Sequence, residues 1–345
     1  MALNPLESKK NIYNKVLGDR LQKVPNINRY PDALPTYQTV QKSMDRMVKQ
    51  ARPNLPKTSM DLILPIEFTL CEGQPFLLGN HNNEILIFST YEFIKILTES
   101  DTVYMDGTFF IAPNIYQQLY SVHVYYKEYM LVVIYGLLSN KRKSTYIKLF
   151  IMIKEICEKY NCIWAPKFVQ LDFEQAAIEA LHKVFLKIQI KGCFFHYTQC
   201  IWRKINTLLL KSLYNEDPMM RTIIKRMCVL PLLNPQDIND VALSCQILAT
   251  TNNLPIDNFF LYMDKTWLGN NSMFPREMWS RYGTSGPRTN NHLEGWHSAL
   301  NKSTRSSHPN IYTFINLIQK DHIYNKLKKV QLDLGMTTKK LIINI

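Results

Sequence analysis

Three acidic residues of the sequence lie in the local settings that a metal-dependent nuclease centre requires. Asp106 lies inside the strand-like run 103–110, and Asp172 ends a second strand-like run, 168–172. Glu294 lies on the polar face of a later helical stretch. Carboxylates held close together repel one another, but two divalent cations about 3.5–4 Å apart remove that cost, activate a water or a 3′-hydroxyl and stabilise the leaving oxygen. Hard oxygen ligands favour Mg²⁺ or Mn²⁺, so the three residues indicate metal-dependent cleavage and rejoining of phosphodiesters.

Two of the three residues also have a purely structural explanation. Asp106-Gly107 between β-rich segments is a strong hairpin signal, although the following strand has a better turn at Lys127-Glu128. If Asp106 instead lies within the strand, Gly107 leaves room for a metal or a phosphate to approach the backbone. Asp172, with Gln175 three positions later, has the capping-box spacing, so it could cap the next helix. That role does not exclude a ligand site, because open α/β sheets bind ligands at the carboxyl ends of their strands.

The predicted helix 289–301 has two distinct faces. One face carries polar residues at helical spacing: Asn290, Glu294, His297 and Asn301. The other face is apolar: Leu293, Trp296 and Leu300. An ordinary amphipathic helix with a solvated outer face would give the same pattern. Gly295 favours a functional face, because glycine inside a helix costs about 1 kcal/mol relative to alanine and indicates a close approach.

The order of the predicted elements indicates one mixed sheet. Three strands at 103–111, 119–126 and 129–138 form an antiparallel meander. They are followed in turn by a helix at 145–160, a strand at 167–172, a helix at 175–186, a strand at 188–195 and a helix at 199–213. Strands that alternate with helices imply parallel crossovers. We therefore predict an α/β fold with an RNase H-like mixed five-stranded sheet flanked by helices.

The chain divides into five predicted parts. Residues 1–60 form a basic, mainly helical segment with a helix at 36–51. Residues 61–100 form a mixed α/β lead-in, with strands at 62–70 and 84–88, a turn at 79–83 and a helix at 91–97. The RNase H-like core spans 101–213, and a mainly helical insertion with several prolines spans 214–285, before the last acid. Residues 286–335 supply C-terminal helices that complete the core, including a basic helix at 311–334.

The composition favours a nucleic-acid partner. The 345 residues include 41 basic and 28 acidic side chains, a formal net charge of +13, and a basic protein attracts polyanions whatever their sequence. No apolar run reaches the length of about 18 residues that a membrane-spanning helix needs. The seven cysteines are scattered and no signal-peptide core begins the chain, so we expect reduced thiols inside the cell.

Cys193, His196 and the nearby Cys200 raise the question of a zinc site. A structural zinc site needs about four ligands, and the sequence has no second pair at metal spacing. A buried cysteine beside a histidine at a strand-to-helix junction is the competing explanation. Three basic clusters also have two interpretations, a solvated face or phosphate contact: 141–143, 202–204 and 320–329.

Four motifs occur in order along the chain: Asp106-Gly107-Thr108-Phe109, Asp172-Phe173-Glu174-Gln175-Ala176-Ala177, Cys193-Phe194-Phe195-His196 and Asn290-Asn291-His292-Leu293-Glu294-Gly295-Trp296-His297. Together they resemble the MULE (Mutator-like element) transposase domain, over about residues 60–325. The resemblance implies an RNase H-like DDE transposase in which Asp106, Asp172 and Glu294 are catalytic and hold two Mg²⁺ or Mn²⁺ ions. It further implies strand cleavage at the terminal inverted repeats of the element, followed by strand transfer into target DNA.

The resemblance also implies the partners and the contacts. DNA is the expected substrate, at transposon ends and at the target, with a homo-oligomer assembled on it in the nucleus and no membrane association. The expected substrate-binding residues are His196, His297, Asn290, Arg203 and Lys204. Relatives often carry an N-terminal zinc-binding recognition domain, whereas no Cys or His precedes residue 70. Two alternatives stay open: a domesticated, non-catalytic DNA-binding or regulatory protein, and a nuclease that takes no part in transposition.

Overall fold

The structure, a computed structural model, describes residues 9–23, 35–51, 53–283, 291–304 and 307–336. Its strands are β1 (Leu70–Cys71), β2 (Gln74–Pro75), β3 (Leu77–His81), β4 (Ile85–Phe88), β5 (Thr102–Thr108), β6 (Gln118–Tyr126), β7 (Tyr129–Leu138), β8 (Phe168–Leu171) and β9 (Gln189–Gly192). Its helices are α1 (Lys9–Lys23), α2 (Tyr37–Ala51), α3 (Tyr91–Thr98), α4 (Lys143–Lys159), α5 (Gln175–Val184), α6 (Phe194–Thr207), α7 (Lys211–Glu216), α8 (Pro218–Val229), α9 (Ile238–Thr251), α10 (Asp257–Met263), α11 (Arg276–Trp279), α12 (Asn291–Lys302) and α13 (Ile311–Asp333). None of these described helices is long and apolar enough to cross a membrane.

A seven-stranded mixed sheet forms the centre of the fold, in the order β3-β4-β7-β6-β5-β8-β9. The pairs from β3 to β5 are antiparallel, whereas β8 pairs in parallel with both β5 and β9. Because α5 lies between β8 and β9 along the chain, β9 can begin at the same end of the sheet as β8, as a parallel pair requires. The prediction of an α/β fold with a mixed sheet is confirmed.

The hairpin of β6 and β7 is the longest part of the sheet. Every residue of β7 after Tyr129 is buried, which explains its run of apolar and β-branched side chains. The two-residue turn between the strands consists of Lys127 and Glu128, with φ of 43° and 67°. Two successive residues with positive φ give a turn whose twist matches that of the flanking strands. The predicted turn at Lys127-Glu128 is therefore confirmed.

Helices cover both faces of the sheet. On one face α4 and α5 pack side by side over buried side chains of β5 and β6, among them Met105 and Val122. On the other face α13 packs against β7, where Tyr135 and Phe314 are buried in a second core. Polar side chains of β5 and β6 that point to this second face are therefore enclosed between the sheet and the C-terminal helices.

Phe173 joins the sheet to the helical segment that follows α6. Its ring centroid lies 4.7 Å from that of Trp267 and 5.0 Å from that of Phe274. The ring also lies directly against the backbone of Gly192 at the end of β9, where an added Cβ would overlap it. Glycine is needed at this position because no larger residue leaves space for the ring.

The sheet has two more strands than the predicted five. The hairpin of β3 and β4 adds to the free edge of β7, which the neighbouring elements in sequence did not indicate. The turn predicted at 79–83 is also shorter than expected, because residues up to His81 continue β3. Only Asn82 and Asn83 turn the chain, with φ of 48° and 54°, and asparagine tolerates this conformation well.

Three predicted boundaries are wrong. Most of the strand predicted at 62–70 is absent, because the chain forms a 3₁₀ turn at Ile66–Phe68 directly after Pro65. The strand predicted at 188–195 ends at Gly192, and α6 begins at Phe194, five residues before the predicted helix start at 199. That helix ends at Thr207 and does not reach 213, since Leu209 has a φ of 57°, outside the helical region.

Candidate active site

Asp106 lies within β5, paired with Ser121 of β6, and the pairing continues to Thr108. The hairpin turn considered for Asp106-Gly107 is therefore wrong. The Asp106 side chain is only 5% exposed, and its Oδ1 accepts a hydrogen bond from the Gly107 amide at 2.8 Å. Its Oδ2 lies 3.6 Å from Nδ1 of His297 in α12. A helix near the C-terminus thus covers the face of the sheet on which the first predicted catalytic acid lies.

His297 is buried between α12 and the sheet, with 6% of its surface exposed. Burial, with a smaller effect of His196, lowers the pKa of His297 to about 4. The imidazole is therefore neutral near pH 7, and its contact with Asp106 is a polar contact between a neutral ring and a carboxylate. The structure brings together Asp106, His297 and His196, three of the residues that the sequence predicted for the site.

Two polar residues of β6 complete the wall beneath α12. Ser121 Oγ donates to the Asp106 backbone carbonyl at 3.2 Å, and His123 Nε2 lies 2.8 Å from the same Ser121 Oγ. The His123 ring meets the Trp296 ring edge to face, with centroids 4.9 Å apart. Burial lowers the pKa of His123, as does the charge of His297. Sequence reasoning missed both residues, although polar side chains at alternate positions of an apolar strand are a usable signal.

Asp172 follows the last residue of β8 and turns the chain towards α5. Its Oδ1 accepts a hydrogen bond from the Glu174 amide at 3.2 Å, and the residue that precedes α5 as its cap is Glu174. Asp172 is therefore not the helix cap that its spacing to Gln175 suggested. Burial raises the pKa of Asp172, and the charges of Lys141 and Arg203 partly oppose that shift.

Tyr120 connects the surroundings of the two aspartates. Burial raises the pKa of Tyr120, followed by the effects of Tyr146 and of the negative charges of Asp172, Glu174 and Asp106. Both predicted catalytic aspartates therefore act electrostatically on one buried hydroxyl. Among the residues that the structure describes, this hydroxyl has no hydrogen-bond partner. A buried polar group without a partner is costly, so a buried water is the expected partner of this hydroxyl.

A chain of hydrogen bonds lies beside Asp172. Gln118 Nε2 donates to the Tyr146 hydroxyl at 2.7 Å, and this hydroxyl donates to Glu174 Oε1 at 2.9 Å. The Lys141 ammonium lies 2.6 Å from the other Glu174 oxygen. A Cβ at Gly107 would lie 2.6 Å from Gln118 Oε1. Gly107 is thus explained by the approach of Gln118, and the space that we predicted there for a metal or phosphate is taken by this side chain.

Residues 102–200, here termed the MULE segment, match the family model of the MULE transposase domain. The match begins at the first residue of β5 and ends within α6, less than a third of the chain, and it includes Asp106, Asp172, Cys193 and His196. Glu294 and His297 lie outside the MULE segment. No curated protein matches the chain.

A polar cluster fixes α12 over the MULE segment. Asp321 of α13 accepts hydrogen bonds from the Trp296 indole at 3.1 and 3.0 Å, from the Tyr135 hydroxyl at 2.6 Å and from the Asn325 amide at 3.1 Å. Burial raises the pKa of Asp321, although these hydrogen bonds act in the opposite direction. Trp296 precedes His297, so the cluster sets the position of the α12 turn that meets Asp106.

The structure describes the remaining predicted residues in and just before α12 only in part. Glu294 lies in α12 one turn before His297, and its side chain lies outside the described residues, as does Asn290 altogether. Gly295 was expected to mark a close approach. Among the described residues, none lies within 4 Å of a Cβ added to Gly295, so packing within this part of the protein does not account for the glycine.

The basic residues predicted to contact DNA have different surroundings. Arg203 is exposed on α6, and its charge acts on Asp172, so it borders the site of the MULE domain. The Lys204 ammonium lies 5.2 Å from the centroid of the Tyr262 ring, on the side of the helical insertion. In the cluster 320–329, Lys326 lies 2.6 Å from Glu72, which indicates a solvated, ion-paired face.

The donor atoms at the site suit a hard divalent cation in type. Asp106 and Asp172 supply carboxylate oxygens, and the Tyr120 hydroxyl without a described partner lies within their influence. In the described part of the chain, no three His, Cys, Asp or Glu side chains are grouped as a metal site. The third predicted carboxylate, that of Glu294, lies outside the described residues. Burial raises the pKa of the Cys200 thiol, which disfavours the thiolate that zinc requires.

Proposed function

We propose that this chain is a DDE transposase of the Mutator-like class, which cleaves DNA strands at transposon ends and joins them to target DNA. The observation that carries the proposal is the 3.6 Å contact between His297 of α12 and Asp106 of β5. It supports a site built from the MULE segment and from a distant helix, and this helix contains Glu294 one turn before the contact. A transposase domain implies DNA as the partner, and the net charge of +13 agrees with that.

The sheet supports the same assignment. An antiparallel meander, β5 to β7, followed by β8 and β9 in parallel is the arrangement expected of an RNase H-like core. We propose that the hairpin of β3 and β4 is an addition to that core, at the edge farthest from Asp172. The helices between α6 and α12 would then be the insertion before the last acid.

Each residue has a proposed role in this reaction. Asp106, Asp172 and Glu294 would hold two Mg²⁺ or Mn²⁺ ions, which when bound lower the pKa of the attacking hydroxyl and stabilise charge on the leaving oxygen. The His297 ring, which burial keeps neutral, would hold the Asp106 carboxylate in place by a polar contact and would leave its negative charge for the metal ions. His196, Asn290, Arg203 and Lys204 would contact the DNA, which the chain meets in the nucleus as a homo-oligomer.

The test of this proposal is nicking of supercoiled plasmid in Mn²⁺ by the full chain and by Glu294→Gln. We expect nicking that EDTA abolishes and that Glu294→Gln reduces more than about a hundredfold, because the loss of a direct ligand should exceed the effect of an outer-shell partner. Glu99→Gln, at an exposed position after α3, is the matched control and should keep full activity.

The products of the same reaction separate the alternatives. Strands joined to target DNA support transposition, whereas cleaved ends without joined products indicate a nuclease. DNA binding without any Mn²⁺-dependent nicking would contradict the metal-centre mechanism and would favour a domesticated, non-catalytic DNA-binding protein.

Binding to random-sequence duplex DNA should weaken at least about a hundredfold between about 50 and 200 mM salt, because phosphate contacts release counterions. Arg203→Gln should reduce the slope of log affinity against log salt concentration by about 1, because one phosphate contact is lost. Lys167→Gln should not, because Lys167 is exposed, paired with Asp101 at 2.9 Å and placed at the start of β8, the end opposite Asp172. Fluorescence anisotropy over a salt series measures both slopes. An affinity that is unchanged across the series would exclude the basic surface as the contact.

A further inference from the structure

Two consecutive phenylalanines, Phe109 and Phe110, follow the strand that contains Asp106, and each is 45% exposed. The rest of their loop buries its apolar side chains, including Ile111, Ala112 and Tyr116. The exposed rings are therefore not a consequence of a loosely packed loop. Large aromatic side chains kept at the surface beside a candidate active site indicate a ligand with a flat apolar face.

The backbone of this loop is held in place by His308, which lies between α12 and α13. The amide of His308 donates to the Phe110 carbonyl at 2.8 Å, and His308 Nδ1 lies 3.0 Å from the Ala112 carbonyl. The Ala112 amide donates back to the Phe109 carbonyl at 3.2 Å. The rings are thus presented on a preorganised support, which reduces the entropy that a binding partner must overcome.

Phe110 forms one wall of a cleft of about 400 Å³, which is also lined by His297, Ser298, Asn301 and Lys302 of α12. His297 is the residue whose ring lies 3.6 Å from Asp106, so the cleft is separated from the candidate centre by a single side chain. The Asn301 Oδ1 atom is buried and has no hydrogen-bond partner in the part of the chain that the structure describes. The cleft therefore combines an aromatic face, an unused acceptor and a cationic side chain.

We propose that this cleft binds an unpaired nucleobase of the DNA strand next to the cleavage centre, by stacking on Phe110. The inference rests on the proposed function for its location, but it concerns binding and not chemistry. Each base has a flat π-face that stacks on an aromatic ring, whatever its sequence. An N–H group of the base, N3–H in thymine, could donate to Asn301 Oδ1, and Lys302 could contact the adjoining phosphate.

Phe109, the residue before Phe110, also presents an exposed ring next to a cationic side chain. The Lys141 ammonium lies 4.9 Å from the centroid of the Phe109 ring and also pairs with Glu174 beside Asp172. Phe109 is thus linked through Lys141 to the surroundings of Asp172, and Phe110 lines the cleft beside His297 and Asp106. A stacked base on Phe110 and a cation over Phe109 would hold a single strand across the centre, in the way that stacking and charge act together in single-strand binding.

The experiment measures binding of a labelled oligothymidylate in EDTA, so that no strand is cut. Phe110→Ala should weaken binding about tenfold, the usual effect of losing one stacked base. Phe110→Leu should weaken it equally, because leucine keeps the apolar bulk but not the flat ring, and Phe110→Trp should restore it. An oligonucleotide of the same length with abasic units should bind Phe110→Ala and the unaltered protein alike.

Two controls separate stacking from other causes. Ile163→Ala removes an 80% exposed apolar side chain in the loop before β8 and should leave binding unchanged. Lys302→Gln should reduce the salt dependence by about one contact, whereas Phe110→Ala should lower affinity at every salt concentration with the same slope.

The proposal is overturned if Phe110→Leu binds oligothymidylate as the unaltered protein does, or if the abasic strand loses as much affinity as the oligothymidylate. Unchanged binding in Phe110→Ala would equally overturn it, and would leave the cleft to an apolar segment of a protein partner. Because the assay contains no divalent cation, absence of nicking leaves the stacking result intact. Nicking without stacking would remove only the base site.

Discussion

Asp106→Asn is expected to reduce Mn²⁺-dependent nicking more than about a hundredfold while the chain stays folded. Asparagine has the same shape as aspartate, and its carbonyl oxygen can still accept the Gly107 amide at the 2.8 Å distance of Oδ1. It lacks the negative charge that offsets a divalent cation, and outer-shell changes alone cost about 10–100-fold in metal affinity or activity. Plasmid nicking measures the loss, and circular dichroism checks the fold.

Asp101→Asn is the matched control for this variant. Asp101 precedes β5 by one residue, its side chain is 67% exposed, and its partner is Lys167 at 2.9 Å. An exposed ion pair of this kind contributes at most about 1 kcal/mol to stability, so activity should be unchanged. Equal nicking by the unaltered chain, Asp106→Asn and Asp101→Asn would show that Asp106 is no metal ligand and would remove the proposed mechanism.

Asp321→Ala is expected to lower the free energy of unfolding by about 3 kcal/mol. The substitution leaves two donors without their acceptor, the Tyr135 hydroxyl and the Trp296 indole, whereas the Asn325 amide keeps its 2.8 Å hydrogen bond to the backbone carbonyl of residue 321. Tyr135 is fully buried, so water cannot replace the lost partner without rearrangement. Urea denaturation followed by tryptophan fluorescence measures the change. Nicking should fall as well, because α12 loses the contact that holds it over Asp106.

Asp333→Ala provides the comparison within the same helix. Asp333 also has three partners, Tyr126, Lys127 and Lys329, at 2.6–2.7 Å, but these contacts are exposed to water. Exposed ion pairs contribute about 0–1 kcal/mol, so this variant should be close to neutral for both stability and nicking. If the two substitutions cost the same, burial is not what makes the Asp321 cluster important.

The centre of the fold could be predicted from the sequence because its signals are local. The alternation of strands and helices from 103 to 207 gave the order of β5 to β9, and the Lys127-Glu128 turn gave the register of the long hairpin. The edge hairpin of β3 and β4 could not be placed in the sheet. Its pairing with β7 joins strands about fifty residues apart, and no local pattern specifies such a partner.

The candidate site could be predicted only in part for the same reason. Asp106 and His297 were both singled out, and the structure places them 3.6 Å apart. The role of Asp321 could not be foreseen, because an acid beside Lys320 in a basic helix has the pattern of a solvated face. Tyr120 was hidden in the same way, as one aromatic residue in a strand of apolar side chains. The electrostatic effect of the two aspartates on Tyr120 depends on the pairing of β5 with β6 and β8.

The contact of Phe173 with Gly192, Trp267 and Phe274 has a mechanical consequence. Phe173 directly follows Asp172, so the packing of its ring fixes the backbone one residue away from a proposed metal ligand. Close-packed rings transmit displacement and do not absorb it. A displacement of the helical segment that carries Trp267 and Phe274 would therefore reach Asp172 through Phe173, so the position of that carboxylate depends on how this segment packs.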